Sequence, residues 1–545
     1  MTAIVDIETD GFKNEATQIH CIVAKCSKTN TIKKWVQEEC KDFKDWSKNV
    51  HSYAMHNGLS FDAPLLNKFT GSSIKPNQIR DTLIESQLFN PIREEGHGLG
   101  AWGKKLKFEK GDMNSFHTYS PDMLTYCTQD VNLTHKVMDE LDKEKVKFSN
   151  ESIELEKKVR VIIDKQEENG FTLDLRKATT LKASLDDEAN SLSNEATELF
   201  PPVEVQLKTK VKYIPFNIGS RKQIAERLIE KGWKPKLKTD KGNVIVNEEV
   251  LNNINMKEAK MFSRYLLLQK RVSQIKSWIE LCGDDNKVHG RVMTLKTVTG
   301  RMAHNSPNLA QVPATYSPYG KECRDCWTVS DSSKYTLVGT DASGLELRCL
   351  AHYMNDAKFT NELLTGDIHT ANMKMAGLTN RDQAKTFIYA FLYGAGAAKI
   401  GKVVDAGAKQ GQILVNRFLS NMPALAALRD NVQEASIKGI IKGLDGRVFQ
   451  IRSPHSALNT LLQGAGAIVC KQWLVSMMDM ITASGIDAHL VASVHDEYQF
   501  EVNHKDVQKF GQISKESIKQ TEQILKLNCP LDSEWKAGLT WATTH

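Results

Sequence analysis

Residues 491–500, VASVHDEYQF, set two adjacent carboxylates between two apolar, β-prone runs. Val491–Val494 and Tyr498–Phe500 read as strands, with His495, Asp496 and Glu497 between them. Carboxylates that emerge between buried strands are costly unless something neutralises them. The stretch therefore demands a sheet that brings a compensating group to one hairpin tip. Asp341 meets the same demand, because it closes the β-like run Thr336–Thr340 in YTLVGTDASGLELRCLAHYM (335–354), which reads as strand, turn, then helix. Side by side, Asp341 and Asp496 would hold Mg2+, which prefers oxygen ligands and keeps substrate phosphates in its shell. Two such ions can activate an attacking oxygen and stabilise a leaving one in phosphoryl transfer. Taken singly, each acid reads more simply as a surface turn.

The helix expected over Asn380–Tyr393 adds a second constraint. Arg381, Lys385, Tyr389 and Tyr393 recur every four residues. Each step turns about 400°, so the four share one broad face. Two cations followed by two aromatic rings suit a triphosphate followed by sugar and base. Thr379 or Asn380 is placed to cap this helix, and Gly394 and Gly396 end it. An amphipathic helix with aromatic core positions has the same spacing, and spacing alone leaves that reading ahead.

Residues 1–145 alternate strands and helices, the pattern of an α/β domain. Ala3–Ile7, Cys21–Ala24 and Val50–Met55 are strand-like, and Pro121–Glu140 is helix-like. DIETDG (6–11) puts Asp6 and Glu8 on one face of a strand. HNGLSFD (56–62) adds Asp62, and YCTQD (126–130) places Tyr126 and Asp130 on one helix face. Each of these is weak alone.

At 545 residues the chain needs more than one core, about two to four domains. A 41% hydrophobic and 25% charged composition describes a globular protein, and the net charge of +6 permits a polyanionic partner. No stretch has the continuous apolar length of a membrane span, and MTAIVDIETDG lacks the pattern of a signal peptide. Ten scattered cysteines suit reduced thiols in a cytoplasm, and the lone C-x-x-C of Cys323 and Cys326 is a weak zinc signal. Helices are expected up to Asn169-Gly170, over Leu173–Phe200 and over 455–483, with LDGR (444–447) a hairpin turn. Residues 205–241 carry Lys208, Lys210, Lys212, Lys222, Lys231, Lys234, Lys236, Lys238 and Lys241, either a solvated face or a phosphate-tracking one.

TDASGLELR (340–348), RDQAKTFIYAFLYG (381–394) and SVHDE (493–497) resemble motifs A, B and C of family A DNA polymerases, in order. TGRMAHNSPNLAQVP (299–313) and RSPHSALNTLLQGAGA (452–467) resemble stretches that precede motifs A and C, and the wording is closest to the replicative polymerases of short-tailed, T-odd-coliphage-like bacteriophages. The resemblance implies that Asp341 and Asp496 ligate two Mg2+ ions, with Mn2+ able to substitute, and that Glu497 supports them. It implies that Arg381, Lys385 and His369 bind the triphosphate, and that Tyr389 lies by the incoming sugar. Tyr393 would stack near the template base or the nascent pair, and Glu346 would crowd the ribose 2′-position. Arg301, Asn459, Gln463 and His495 would contact the primer-template through shared minor-groove acceptors. With DTLIESQLF (81–89) and HGLGAWGKKL (97–106), the N-terminal motifs resemble proofreading 3′→5′ exonucleases. There Asp6, Glu8, Asp62 and Asp130 would bind a second pair of metal ions and Tyr126 would orient the attacking water, with Asn57 assisting.

The implied architecture is a multidomain α/β plus α+β chain: an RNase H-like exonuclease domain at 1–145, then a right-hand polymerase. Its linker helix and thumb would span 146–285, its palm 286–356 and 441–545, and its fingers 357–440. The implied partners are primer-template DNA and dNTPs, with a phage helicase-primase and single-strand-binding protein around a monomeric enzyme in the cytoplasm of an infected bacterium. A thioredoxin-capturing thumb insertion, as coliphage relatives carry, has no room in PPVEVQLKTKVKYIPF (201–216), so thioredoxin is not expected as a partner. Two rival readings fare worse. A single-subunit RNA polymerase would carry neither Glu346 within DASGLELR nor an attached exonuclease. A non-catalytic DNA-binding scaffold would lack ligand carboxylates that are all present.

Overall fold

The computed structural model describes residues 2–113, 115–206, 210–239 and 241–544; Lys208 lies outside them. The chain forms two compact units. One comprises Met1–Asn169, Val292–His304 and Gly339–Trp535, the other Gly170–Arg291, Asn305–Val338 and Lys536–His545.

The first unit opens with a sheet of β1 (Thr2–Thr9), β2 (Ile19–Cys26), β3 (Ile32–Val36), β4 (Ser52–Met55) and β5 (Ile79–Asp81), in the RNase H-like order β3-β2-β1-β4-β5. β1, β2 and β3 are antiparallel, and β4 and β5 continue parallel to β1. Alternation along β1 sends Ala3, Val5 and Ile7 into a core with Trp35, Phe43, Tyr53 and Leu66. Ile4 points the other way, against Met123, Cys127 and Val131 of the helix Pro121–Lys145. Asp6 and Glu8 continue the Ile4 face, so the strand's period aims both acids at that helix. β3 and β5 escape the sequence reading for plain reasons. IKKWV is an edge strand with its first three residues exposed, and β5 is only three residues long.

Later in the same unit, the hairpin Ala488–Val494/Glu497–Asn503 lies beside the strand Tyr335–Ala342, which joins this unit from Gly339. The Val494–Glu497 pair closes the hairpin through a two-residue turn, with His495 left-handed at φ 58°. A non-glycine residue there is strained by roughly 1–2 kcal/mol, a cost common at functional turns. The helix Ala457–Ser484 backs this hairpin: Tyr498 Oη donates to Cys470 O at 2.8 Å and Trp473 stacks edge-on against Tyr498. LDGR does turn a hairpin, between Ile440–Lys442 and Val448–Gln450. A fully buried ion cluster fixes these pieces. Lys471 Nζ donates to both Glu156 oxygens at 2.7 Å and to Thr294 O at 2.8 Å, while Arg447 pairs with Glu156 and Asp445, each at 2.7 Å.

The second unit packs the helices Leu175–Leu199 and Lys257–Glu280 around Phe200, Phe216 and Phe262, with a hairpin at Val203–Gln206 and Val211–Ile214. Its first residue, Gly170, is left-handed at φ 64°, and a Cβ there would meet His289 Cε1 at 2.8 Å, so glycine is required. Lys210, Lys212, Lys222, Lys234, Lys236, Lys238 and Lys241 are exposed, and Lys231 pairs with Glu258. Cys323 and Cys326 are buried, which pushes both thiols up to about 12. All ten cysteines are free. Among the described residues no helix is long and apolar enough to cross a membrane.

Candidate active sites

Both groups of acids lie within the first unit. At the hairpin tip, Ala342 N donates to Asp496 O at 3.1 Å, which seats the turn against the residue that follows Asp341. Burial, then the charges of Asp496, Glu497, Glu534 and Glu346, push the Asp341 carboxyl up to about 8. Asp496 is raised as well, by burial and then by Glu346. Glu497 is buried and accepts from Gln499 Nε2 at 2.6 Å. Hard oxygen donors whose charges raise the protonation of Asp341 and Asp496 suit a divalent cation.

Glu346 sits at the start of the helix Leu345–Met354 and gathers two other expected residues. Tyr393 Oη donates to Glu346 Oε1 at 2.9 Å, and Arg301 Nη2 donates to the same oxygen at 3.3 Å. The helix Arg381–Leu392 forms as its spacing predicts. Asn380 caps it by accepting from Asp382 N and Gln383 N, and Phe387 and Phe391 pack on Phe418. That leaves Arg381, Lys385, Tyr389 and Tyr393 on the open side. Tyr389 stands 6.3 Å from the His369 ring and 6.3 Å from the Tyr393 ring. Burial and then the Arg381 and Lys385 charges hold the His369 imidazole below its ordinary value, which favours a neutral ring with one N–H to donate beside the two cations. Arg381 itself grips Asp367 of DIHT (367–370), the stretch that carries His369, with Nε–Oδ2 at 2.8 Å and Nη2–Oδ1 at 3.1 Å. Asn459 and Gln463 share a face of the helix Ala457–Ser484, and Asn459 Oδ1 is buried without a partner. His495 is exposed at the turn. Sequence reasoning missed His304, which is buried and held down to about 4 by burial and by His495. It lies inside TGRMAHNSP, but nothing in its spacing singled it out.

The N-terminal acids meet over β1. Asp6, Glu8 and Cys127 present ligand atoms within 4.8 Å of one another. Burial raises all four acids. Asp6 reaches about 7 with Asp130 adding to burial, and Glu8 about 10 with Asp6 adding. Asp62, at the start of the helix Asp62–Thr70, is raised by burial and then by Asp6. Asp130 Oδ1 is buried with no hydrogen-bond partner, an orphan acceptor that a cation would satisfy. Tyr126 lies one helical turn before Asp130, edge-on to Phe116 at 5.9 Å. Asn57 is left-handed at φ 68°, and its N–H donates to Asp81 Oδ1 at 3.2 Å. Three participants were not foreseen. Asp81 holds the HNGL loop, and Cys127 Sγ donates to Asp6 at 3.4 Å. Lys110 pairs with Asp130 Oδ2 at 2.7 Å. Cys127 sits inside the quoted YCTQD, but Lys110 comes from a loop without periodicity.

Residues 184–543 match the family profile described as DNA polymerase family A. The chain is similar to the DNA-directed DNA polymerases of Escherichia phage T7 and Enterobacteria phage T3. It is 30% identical to each, over 99% of this chain and 100% of the relative. The alignment with the phage T7 protein runs to 706 positions against a chain of 545, so that relative carries segments with no counterpart here. DNA polymerase I of Bacillus subtilis is 28% identical over 60% of this chain and 40% of its own length. Among solved structures, the Pol domain of Pol1 from M. smegmatis, in complex with DNA primer-template and dNTP, superposes with a TM-score of 0.84. It is 18% identical and covers 99% of this chain and 96% of that one.

Proposed function

The chain belongs to DNA polymerase family A, and we propose that this DNA-directed DNA polymerase extends a primer 3′-hydroxyl at the Asp341–Asp496 site and trims 3′ ends at the Asp6–Glu8–Asp62–Asp130 site. The observation that carries the first half is convergence. Acids from two distant strands meet at one turn, and Arg301, Tyr393 and Tyr389 close around Glu346 beside them.

Asp341 and Asp496 would hold two Mg2+ ions, or Mn2+ in their place, supplying Lewis acidity to the attacking and leaving oxygens. Arg381 exchanges the Asp367 carboxylate for an arriving triphosphate, since both present the bidentate oxygens that a guanidinium prefers. Lys385 and His369 add donors to the same phosphates. Tyr389 packs by the sugar, and Glu346, held by Tyr393 and Arg301, lines the 2′-position against ribonucleotides. Arg301, Asn459, Gln463 and His495 face the minor groove of the primer-template, where all correct pairs offer similar acceptors. At the second site Asp6, Glu8, Asp62 and Asp130 would hold the ions, and Tyr126 would orient the attacking water.

In domain terms, residues 1–145 are the exonuclease, 146–285 the linker helix and thumb, 286–356 with 441–545 the palm, and 357–440 the fingers. Full-length similarity to phage enzymes supports a replicative role in an infected bacterium, as a monomer alongside a helicase-primase and a single-strand-binding protein. A primer-template assay with Mg2+ tests the whole reading. Extension is expected with dNTPs and 3′ degradation without them; an inert protein, or one that prefers rNTPs, would contradict it.

A further inference from the structure

Lys110 does not behave as a surface lysine. Its Nζ lies 2.7 Å from Asp130 Oδ2 and 4.8 Å from the centre of the Tyr126 ring, and its side chain is only 30% exposed. Its neighbours in the loop are fixed too. Gln129 Nε2 donates to Glu109 O at 2.9 Å, and a Cβ on Gly111 would stand 3.3 Å from Tyr126 Cδ2. Three consecutive loop residues are thus tied to the helical turn that carries Tyr126 and Asp130.

Two roles are open to such a cation: it could leave when divalent ions enter, or stay. The oxygens of Asp130 distinguish them. Lys110 takes Oδ2, while Oδ1 remains buried and unpartnered. One carboxylate can therefore serve the ammonium and an ion together. We propose that Lys110 is a resident positioning residue of the exonuclease site: it stays paired with Asp130 and Tyr126 while ions bind through the remaining oxygens, and it holds both side chains in place for attack on the terminal phosphodiester. This rests on reading the N-terminal site as an exonuclease.

The test uses the full chain with Lys110→Met, which keeps the length and removes the charge, and Lys110→Arg, which keeps the charge. At saturating Mg2+, single-turnover digestion of single-stranded DNA by Lys110→Met should fall roughly 10–100-fold, the range for residues that orient a metal site's ligands. The DNA concentration at half-saturation should barely move, Lys110→Arg should recover part of the rate, and primer extension should persist as the control for folding. A second readout is independent of turnover: amine acylation of Lys110, quantified by mass spectrometry with and without Mn2+. Retention predicts equal or lower reactivity with the ion, whereas a several-fold rise would show expulsion and overturn the proposal. Digestion by Lys110→Met at the parent rate would also overturn it. If the parent digests DNA and Asp6→Ala with Glu8→Ala does not, such a result sinks only the role of Lys110. If the parent never digests, the exonuclease reading falls and takes this inference with it.

Discussion

Asp130 is buried with an ammonium on one oxygen, whereas the charges acting most strongly on Asp341 are all carboxylates. The N-terminal site carries its own counter-charge in Lys110. Near the hairpin tip Arg301 is paired with Glu346, and Arg381 is engaged with Asp367. The two sites also differ in construction. One strand and one helix supply Asp6, Glu8, Tyr126 and Asp130, with spacings of two and four residues. The other site draws Arg301, Asp341, Tyr389 and Asp496 from separate elements across nearly two hundred residues of chain. A site whose acid already holds an ammonium is organised before substrate arrives, while a site whose cations are engaged with other carboxylates is completed by ions and a triphosphate.

The largest effect should come from the buried ions that the first unit shares. Lys471→Met leaves Glu156 buried beside Arg447 alone and should destabilise that unit by about 3–5 kcal/mol, seen as a lower Tm. Digestion and extension should then fail over the same temperature range. Loss of one well before the other would break the claim that both sites share one compact unit. Tyr389→Phe sharpens the contrast from the polymerase side. Removing a hydroxyl that can bond near the sugar should increase discrimination against dideoxynucleotides by roughly 1 kcal/mol, read as the dNTP-to-ddNTP incorporation ratio, with digestion untouched. An unchanged ratio would remove Tyr389 from the sugar's surroundings.

A smaller effect concerns pH. With Asp341 raised to about 8, the metal-free site holds a proton below that pH that an incoming ion must displace. The rise in Tm given by Mg2+ should therefore be larger at pH 8.5 than at pH 6 and should shrink as pH falls. For the metal-free protein the sign reverses. The folded state holds protons that the unfolded chain sheds, so this acid costs stability as pH rises from about 4 to about 8. An Asp341→Asn variant should lose that slope, and a slope that persists would assign it to other groups. The smallest expected effect is none: excess thioredoxin should leave product length unchanged in a single encounter with DNA. Marked lengthening would mean that the Val203–Ile214 hairpin region binds a clamp.

Legibility in the sequence followed locality. The period of β1 aimed Asp6 and Glu8 together, helical spacing joined Tyr126 to Asp130, and the HDE tip was plain from the apolar runs around it. A cap at Thr379 or Asn380 and the face shared by Arg381, Lys385, Tyr389 and Tyr393 were equally readable. What escaped depends on contacts between distant or aperiodic residues. Lys471 meets Glu156 across 315 positions, and Lys110 reaches Asp130 from an irregular loop. Asp367, which caps its own helix, shows no sign in DIHT of also holding Arg381.

The most direct measurement of the account compares three proteins on one labelled primer-template with Mg2+: the parent, Asp341→Ala, and Asp6→Ala with Glu8→Ala. Separate sites predict a crossover. Asp341→Ala should lose extension by roughly a thousand-fold or more, as expected for a metal ligand, and still shorten the primer, while the double variant should extend it and leave the 3′ end intact without dNTPs. Loss of both activities in either protein, with Tm unchanged, would contradict the assignment of two independent carboxylate sites.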